Sequence, residues 1–211
     1  MTDESQATDR NIADLRRTLG RIALEIVVGF VGVYAAFALT AYHEREALIE
    51  RRTQITKALV AEITPLAELS RKNIDGYRST ILAFDSAVKA GKRPIPRAYI
   101  EPVGLNTHVW DATRQSGGLN LLDVKTFVTV ADFYNDVSQM LAFYAQLREM
   151  SINVILPNVG RGAGAFYDPK TGVLREDVRR LYYYDLEGLT RVSKRGAAAG
   201  DSAIRMLNRV K

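Results

Sequence analysis

Two histidines, His43 and His108, are the side chains best suited to acid–base or metal chemistry. His108 stands three residues before Asp111, a spacing at which the carboxylate can orient the imidazole as a base or share a metal ion with it. The alternative is a structural histidine beside a core tryptophan, Trp110. The sequence favours this alternative because no further ligand or nucleophile accompanies the pair. With Arg114, these residues form the candidate ligand site, and we assign no catalytic or metal-binding residue.

Other patterns associated with enzymes are missing or incomplete. Cysteine is absent, which excludes disulfides, thiolate metal sites and cysteine nucleophiles. The glycine-rich segment that starts at Arg161 lacks the Lys-Ser/Thr of a phosphate-binding loop. Three consecutive tyrosines, residues 182–184, follow Arg179 and Arg180 and could stack on ligand rings. On a helix they would point in three directions, which favours packing, so we expect no catalysis and no cofactor.

A membrane-spanning helix is the strongest feature of the sequence. Residues 26–42 contain no charged side chain, and extension back to residue 22 adds only Glu25 as a charge. A helix over residues 22–42 is about 30 Å long, which matches the hydrocarbon core of a bilayer. A cleaved signal peptide is the alternative, but the polar leader is long and the apolar run exceeds the usual length of such signals. The sequence therefore predicts an uncleaved anchor.

One face of the predicted anchor carries small and ionisable residues. Glu25, Gly29, Gly32 and Ala36 follow the spacing of a single helical face. Small residues let two helix backbones approach closely, and a carboxylate in the membrane favours a protein partner over lipid. These residues are therefore predicted to form a seam through which the anchor self-associates. In the alternative interpretation, Glu25 lies at the headgroup level near Arg21 and marks the membrane boundary.

The distribution of basic residues predicts the orientation of the anchor. Arginines precede the span closely, whereas the basic residues after it alternate with glutamates. This favours residues 1–21 as a cytoplasmic tail, 22–42 as a transmembrane helix in the inner (cytoplasmic) membrane, and 43–211 as a mostly helical soluble domain in the periplasm or outside the cell. Residues 161–211 hold 11 Lys/Arg and 6 Asp/Glu, which accounts for the net charge of +5. We interpret this excess as a solvated surface and expect no nucleic-acid partner.

Hydrophobic periodicity predicts a mainly α-helical fold after the anchor. A charged helix over residues 43–63 is predicted to meet Pro65, which either interrupts it or starts a second helix that reaches Gly91. Residues 91–106 contain three prolines and are predicted to form a loop. The transmembrane helix would thus continue into a helical bundle with long loops.

The second half of the chain is predicted to hold two more long helices. The first covers residues 123–155, with Asp123 as its N-cap and Pro157 as its end. Its apolar stripe consists of Phe127, Val130, Tyr134, Val137, Leu141 and Tyr144. Residues 168–172 form a turn sequence that would join two short extended segments in a β-hairpin. The last helix is predicted to break at the glycine-containing segment 196–200.

Two blocks of the sequence resemble one family of proteins. In the first, Glu25 opens an anchor that contains glycine and alanine, and a charged helix from His43 follows directly. In the second, Trp110 precedes a Ser-Gly pair and a helix with Phe-Tyr. These blocks are similar to uncharacterised, short, bacterial single-pass membrane proteins. This sequence departs from their pattern at residues 41–43, Ala-Tyr-His, where the pattern has an aromatic or acidic pair. The resemblance implies the topology and a helical outer domain, and it implies no catalytic residue.

The sequence favours a non-enzymatic, membrane-anchored protein that acts through protein–protein contact, as an accessory or scaffold subunit. Its expected partners are the lipid bilayer, a second copy of the chain through the anchor, and another membrane protein. The alternative is a single-pass ligand-binding sensor domain that signals through a partner. A pocket with converging polar groups around His108 and Arg114 would favour the sensor. A filled core with an exposed apolar stripe would favour the scaffold.

Overall fold

The computed structural model is mainly α-helical, and no strand occurs among the residues that it describes. The structure describes the backbone of residues 3–99 and 105–209. It describes the side chains of the same residues, except those of residues 3–26, 181 and 182. The helical class predicted from the hydrophobic periodicity is therefore confirmed. The side chain of Glu25, at the start of the predicted anchor, lies outside the described residues.

The chain divides into two compact units, Met1–Arg51 and Arg52–Lys211. Helix α1 (Asp3–Lys89) contains the boundary between them. No proline precedes Pro65, so the backbone hydrogen bonds of a long helix can form without a break in the first unit. Every described side chain up to residue 50 is exposed. The helix is long and apolar enough to cross a membrane.

The second unit contains the C-terminal part of α1 and the remaining helices. These are α2 (His108–Gln115), α3 (Val124–Met150), α4 (Leu156–Val159) and α5 (Glu176–Leu207). A π-helical turn, Ser151–Ile155, joins α3 to α4, and short 3₁₀ turns cover Gly118–Leu121 and Ala163–Phe166. The described parts of the predicted loop, residues 92–99 and 105–106, contain no helix or strand.

The core of the second unit lies where α1, α3 and α5 meet. At Gly200, α5 lies against Ala67 of α1 and Phe133 of α3. All three helices contribute buried apolar side chains, among them Leu59, Ile63, Val130, Phe133, Val137, Met140, Leu147, Leu186, Leu189 and Leu207. Full burial of a side chain of this size contributes roughly 1.5–3 kcal/mol. These contacts hold the three helical segments together.

Helix α1 passes through Pro65 without a break, so the predicted interruption at this residue is wrong. A proline inside a helix removes one backbone hydrogen bond and costs about 3 kcal/mol. Pro65 is exposed, whereas its neighbours Ile63, Leu66 and Ala67 are buried in the core. The packing of these neighbours holds both sides of the helix in place and outweighs the cost of the proline.

Helix α5 continues through Gly196 and Gly200 to Leu207, so the predicted break at residues 196–200 is wrong. Both glycines are buried. A Cβ atom at Gly200 would lie 2.7 Å from the Cβ atom of Ala67, which is closer than van der Waals contact allows. At this position glycine lets two helices approach closely and does not end the helix.

The helix predicted over residues 123–155 is divided in the structure. Asp123 is the N-cap of α3, as predicted, and its Oδ1 atom accepts a hydrogen bond from the Thr126 backbone N–H at 3.0 Å. Hydrogen bonds from Thr126 hold the pKa of the Asp123 carboxyl below its usual value. Pro157 does not end the helix, because α3 changes into the π-helical turn at Ser151. Pro157 then lies in the first turn of α4, where a missing N–H costs little.

The turn predicted for the segment Asp-Pro-Lys-Thr-Gly is present. The Oδ1 atom of Asp168 accepts hydrogen bonds from the backbone N–H groups of Lys170 and Thr171, each at 2.8 Å. On either side of this turn, Tyr167 and Leu174 form an isolated antiparallel bridge. The described residues around the bridge form no strand, so the extended segments beside the turn are limited to this single pair.

Candidate functional site

The predicted seam lies on the exposed part of α1. Gly29, Gly32 and Ala36 are exposed. A Cβ atom added at Gly29 or Gly32 would have no atom within 4 Å outside the local helix backbone. Glu25 belongs to the same helix, but its side chain lies outside the described residues. The described seam residues therefore lie on an uncovered stretch of helix.

Large apolar side chains surround these small residues. Phe30 and Tyr34 are each 76% exposed, and Phe37 is 72% exposed. Each side chain of this kind forgoes the roughly 1.5–3 kcal/mol that burial would provide. A helix that is apolar on all sides is typical of a membrane span or of a segment that another protein covers.

The four candidate ligand-site residues lie on α2. His108 begins the helix and is exposed. The carboxylate of Asp111 accepts hydrogen bonds from the side chains of Thr107, at 3.0 Å, and Arg114, at 3.5 Å. The structure therefore does not join His108 and Asp111 in a hydrogen bond. Trp110, the fourth candidate, is partly buried against the core.

Glu62 of α1, which was not among the predicted site residues, holds α2 in place. Its carboxylate accepts hydrogen bonds from the backbone N–H groups of Val109, at 2.7 Å, and Trp110, at 3.1 Å. The hydroxyl of Tyr134 on α3 donates a third hydrogen bond at 2.5 Å. The Trp110 ring stacks on Tyr134, with 4.5 Å between ring centroids and 12° between ring planes. Glu62 thus satisfies the first N–H groups of α2, and its charge complements the helix dipole.

The surroundings of Glu62 give it a structural role. Burial and the hydrogen bond to Glu62 raise the pKa of the Tyr134 hydroxyl above its ordinary value, so this hydroxyl stays protonated and donates at neutral pH. Loss of the carboxylate would leave the Tyr134 hydroxyl of a buried side chain unpaired, at a cost of about 1–3 kcal/mol, and would also remove the partner of two half-buried backbone N–H groups. The sequence does carry a signal for Glu62. It lies three residues after Leu59 and four before Leu66, on the buried face of the helix.

The three consecutive tyrosines of α5 have different surroundings, as adjacent positions on a helix require. Tyr183 is partly buried and donates a hydrogen bond to Asp85 of α1 at 2.5 Å. Tyr184 is 63% exposed, and its ring centroid lies 6.2 Å from that of Phe143 on α3. The side chain of Tyr182 lies outside the described residues. One tyrosine therefore links α1 to α5, and another lines a cavity.

This cavity, about 660 Å³ in volume, lies between the end of α3, the π-helical turn and the start of α5. Pockets that bind small molecules have volumes of roughly 300–1,000 Å³. The residues that line it are Gln146, Glu149, Met150, Asn153, Val154, Arg180, Tyr184 and Asp185. The π-helical turn contributes two of them, and such turns often occur at functional sites. The cavity thus combines apolar walls with amide and charged groups.

Asp185 is the buried carboxylate of this cavity. It is 1% exposed, and its Oδ2 atom has no hydrogen-bond partner. Burial raises the pKa of the Asp185 carboxyl to about 6. A buried polar atom without a partner is rare in folded proteins because it has lost its hydration without compensation. This position is therefore a candidate for binding a ligand.

No family model matches the chain, and no curated protein or solved structure is significantly similar to it. The resemblance to short bacterial single-pass membrane proteins thus stays a prediction. The proposed function therefore rests on the chemistry of the sites themselves.

The two sites offer binding chemistry of different kinds. The exposed stretch of α1 offers an apolar surface with room for a second helix beside its glycines. The cavity beside α5 offers a carboxylate, two amides and a guanidinium within apolar walls. Within the described part of the chain, no group of three or more His, Asp or Glu side chains could hold a metal ion.

Proposed function

We propose that this chain is a membrane-anchored helical protein that acts through protein–protein contact, as an accessory or scaffold subunit. The anchor covers residues 22–42 and self-associates through Glu25, Gly29, Gly32 and Ala36. The observation that carries this proposal is the uncovered apolar stretch of α1 with its open glycines. Lipid would cover the large side chains, and a second copy of the chain would fill the space beside the glycines.

In this proposal the anchor lies in the inner (cytoplasmic) membrane, with residues 1–21 in the cytoplasm. Residues 43–211 form a helical bundle in the periplasm or outside the cell, where they contact another membrane protein. Single cysteines, Ser5→Cys and Lys170→Cys, test the orientation. In cells with a permeabilised outer layer and an intact inner membrane, an impermeant maleimide should label only the second variant. Labelling of Ser5→Cys alone would show that the orientation is the opposite of the proposed one.

Co-purification of two differently tagged copies tests the self-association. Both copies are expressed in one cell, extracted from carbonate-washed membranes with a mild detergent, and isolated through one tag. We expect recovery of the second copy for the wild type and for Val31→Leu. Recovery should fall several-fold for Gly32→Leu, because the larger side chain blocks close approach of the helices. Release of the chain by carbonate, or equal recovery for all three forms, would contradict the proposal.

A ligand-binding sensor that signals through a partner is the second candidate function. The observation that favours it is the cavity with the buried, unpartnered Asp185. The same anchor would hold such a sensor in the membrane, and another membrane protein would receive the signal. Binding of a small molecule to the full chain distinguishes the two functions, because a scaffold needs no ligand.

A further inference from the structure

The cavity beside α5 contains a feature that core packing does not explain. Asp185 is almost fully buried, yet its Oδ2 atom has no hydrogen-bond partner. This oxygen has lost its hydration, and no protein donor compensates for the loss. Asp185 lines the cavity, and a ligand that displaces the side chains covering Oδ2 and donates a hydrogen bond to it would remove this cost.

The groups that line the cavity with Asp185 define the chemistry of such a ligand. Glu149 of α3 adds a second carboxylate and Arg180 of α5 adds a guanidinium, so acidic groups outnumber basic ones. Met150 and Val154 add apolar surface. An anion would meet two carboxylates, and a purely apolar molecule would leave Asp185 without a partner. A cation with an apolar part matches both the charge and the walls.

We propose that this cavity binds a small organic ammonium ion that carries an apolar group. The N–H groups of the ammonium donate charge-assisted hydrogen bonds to Asp185, and the apolar group packs against Met150 and Val154. The Tyr184 ring lines the same cavity, and aromatic rings attract ammonium ions. This proposal rests on the sensor function and names its ligand class. It does not depend on self-association of the anchor.

The test is isothermal titration calorimetry of the full chain in nanodiscs of uncharged lipid, with 2-phenylethylamine as the probe. 2-Phenylethanol, which has the same apolar group without the charge, is the control ligand. We expect the amine to bind at about pH 8 and the alcohol to bind roughly tenfold more weakly, because charged hydrogen bonds are the stronger ones.

Substitution of Asp185 tests the proposed contact directly. Asp185→Asn should weaken amine binding roughly tenfold or more, because it removes the negative charge and keeps the shape of the side chain. Asp177→Asn is the matched control on the same helix. The Asp177 carboxylate is exposed and paired with Arg175, so its substitution should leave amine binding unchanged.

Amine binding should also weaken as the pH falls through about 6, because burial raises the pKa of the Asp185 carboxyl to about 6 and the protonated form has no charge to pair. Between about pH 8 and pH 5 the affinity should fall roughly tenfold. Glu149, Arg180 and Tyr184 are the other titratable groups that line the cavity. Glu149→Gln should keep this pH dependence, whereas Asp185→Asn should remove it.

Three results would overturn the proposal. These are amine affinity that Asp185→Asn leaves unchanged, equal affinity for amine and alcohol, and no amine binding at millimolar concentration. If circular dichroism shows that Asp185→Asn does not fold, Val154→Phe replaces it, because it narrows the cavity and keeps the carboxylate. Unchanged amine affinity in that variant would equally overturn the proposal. The co-purification of tagged copies does not involve this cavity, so failure here leaves the anchor proposal intact.

Discussion

Glycines in the helices of the two units have different surroundings. In the second unit, Gly188, Gly196 and Gly200 of α5 are buried against side chains of neighbouring helices. In the first unit, Gly29 and Gly32 of α1 are exposed, with no atom near the position of a Cβ. The glycines of the second unit thus allow close packing between helices of the same chain. The glycines of the first unit leave space that no other part of this unit fills.

Gly76 shows that an open glycine alone does not indicate a partner. It lies in α1 within the second unit, is exposed, and also has no atom within 4 Å of a Cβ position. Its surface differs from that of Gly29 and Gly32, because its neighbours Asp75 and Arg78 are charged and exposed. An open glycine predicts a helix partner only where the surrounding surface is apolar.

Among substitutions of these glycines, Gly200→Ala should change the free energy of unfolding most. The new methyl group would lie 2.7 Å from the Cβ atom of Ala67 and 3.0 Å from the Phe133 ring. Neither Ala67 nor the buried Phe133 ring can move aside easily, so we expect a loss of about 1–3 kcal/mol in the free energy of unfolding. Urea denaturation of the full chain in detergent micelles measures this loss. An unchanged midpoint would show that Gly200 is not a packing position.

Gly188→Ala should have a smaller effect. A Cβ atom there would lie 2.5 Å from the Cε1 and Cζ atoms of the Phe143 ring. These atoms are at the far end of a partly buried side chain that can swing outward, so we expect a loss of about 1 kcal/mol. The same denaturation experiment applies. A loss larger than that of Gly200→Ala would reverse the predicted order.

Gly76→Ala should have the smallest effect and the opposite sign. The site is an exposed helix interior with free space around it, and alanine favours a helix over glycine by roughly 0.5–1 kcal/mol. The midpoint of urea denaturation should therefore rise slightly. A fall would mean that the space beside Gly76 is filled in solution and that its surroundings are not open.

Local patterns in the sequence predicted which helices occur better than they predicted where these helices begin and end. The helical periods and the Asp123 N-cap depend on nearby residues and were predictable. Continuation of α1 through Pro65 and of α5 through Gly200 depends on contacts with other helices, which no local pattern contains. Tertiary packing outweighed the intrinsic preference of proline and glycine at both places.

The apolar stripe predicted for α3 was correct in part. Val130, Tyr134, Val137 and Tyr144 are buried, as predicted, whereas Phe127 and Leu141 are exposed. The fully or almost fully buried Phe133, Met140 and Leu147 fall outside the predicted stripe. Because α3 packs against both α1 and α5, its buried face is wider than a single stripe.

The polar sites were the least predictable part of the molecule. Asp185 lies four residues after Leu181 and four before Leu189, so its place on an apolar face was a usable signal. The cavity itself was not predictable, because it joins the end of α3 to the start of α5 across a long stretch of sequence. The candidate residues around His108 were suggested by residue type and by the His-x-x-Asp spacing, but the structure leaves His108 exposed and pairs Asp111 with Thr107 and Arg114 instead.

We propose that the open glycines of the anchor face a second copy of the chain. Because the chain has no cysteine, single cysteines can be placed at Gly32 and Ala36 on the seam and at Val31 and Phe37 beside it. Oxidative crosslinking in native membranes should give dimers from Gly32→Cys and Ala36→Cys alone. Equal crosslinking at all four positions, or none at any, would contradict the claim and leave Glu25 as a residue that marks the membrane boundary.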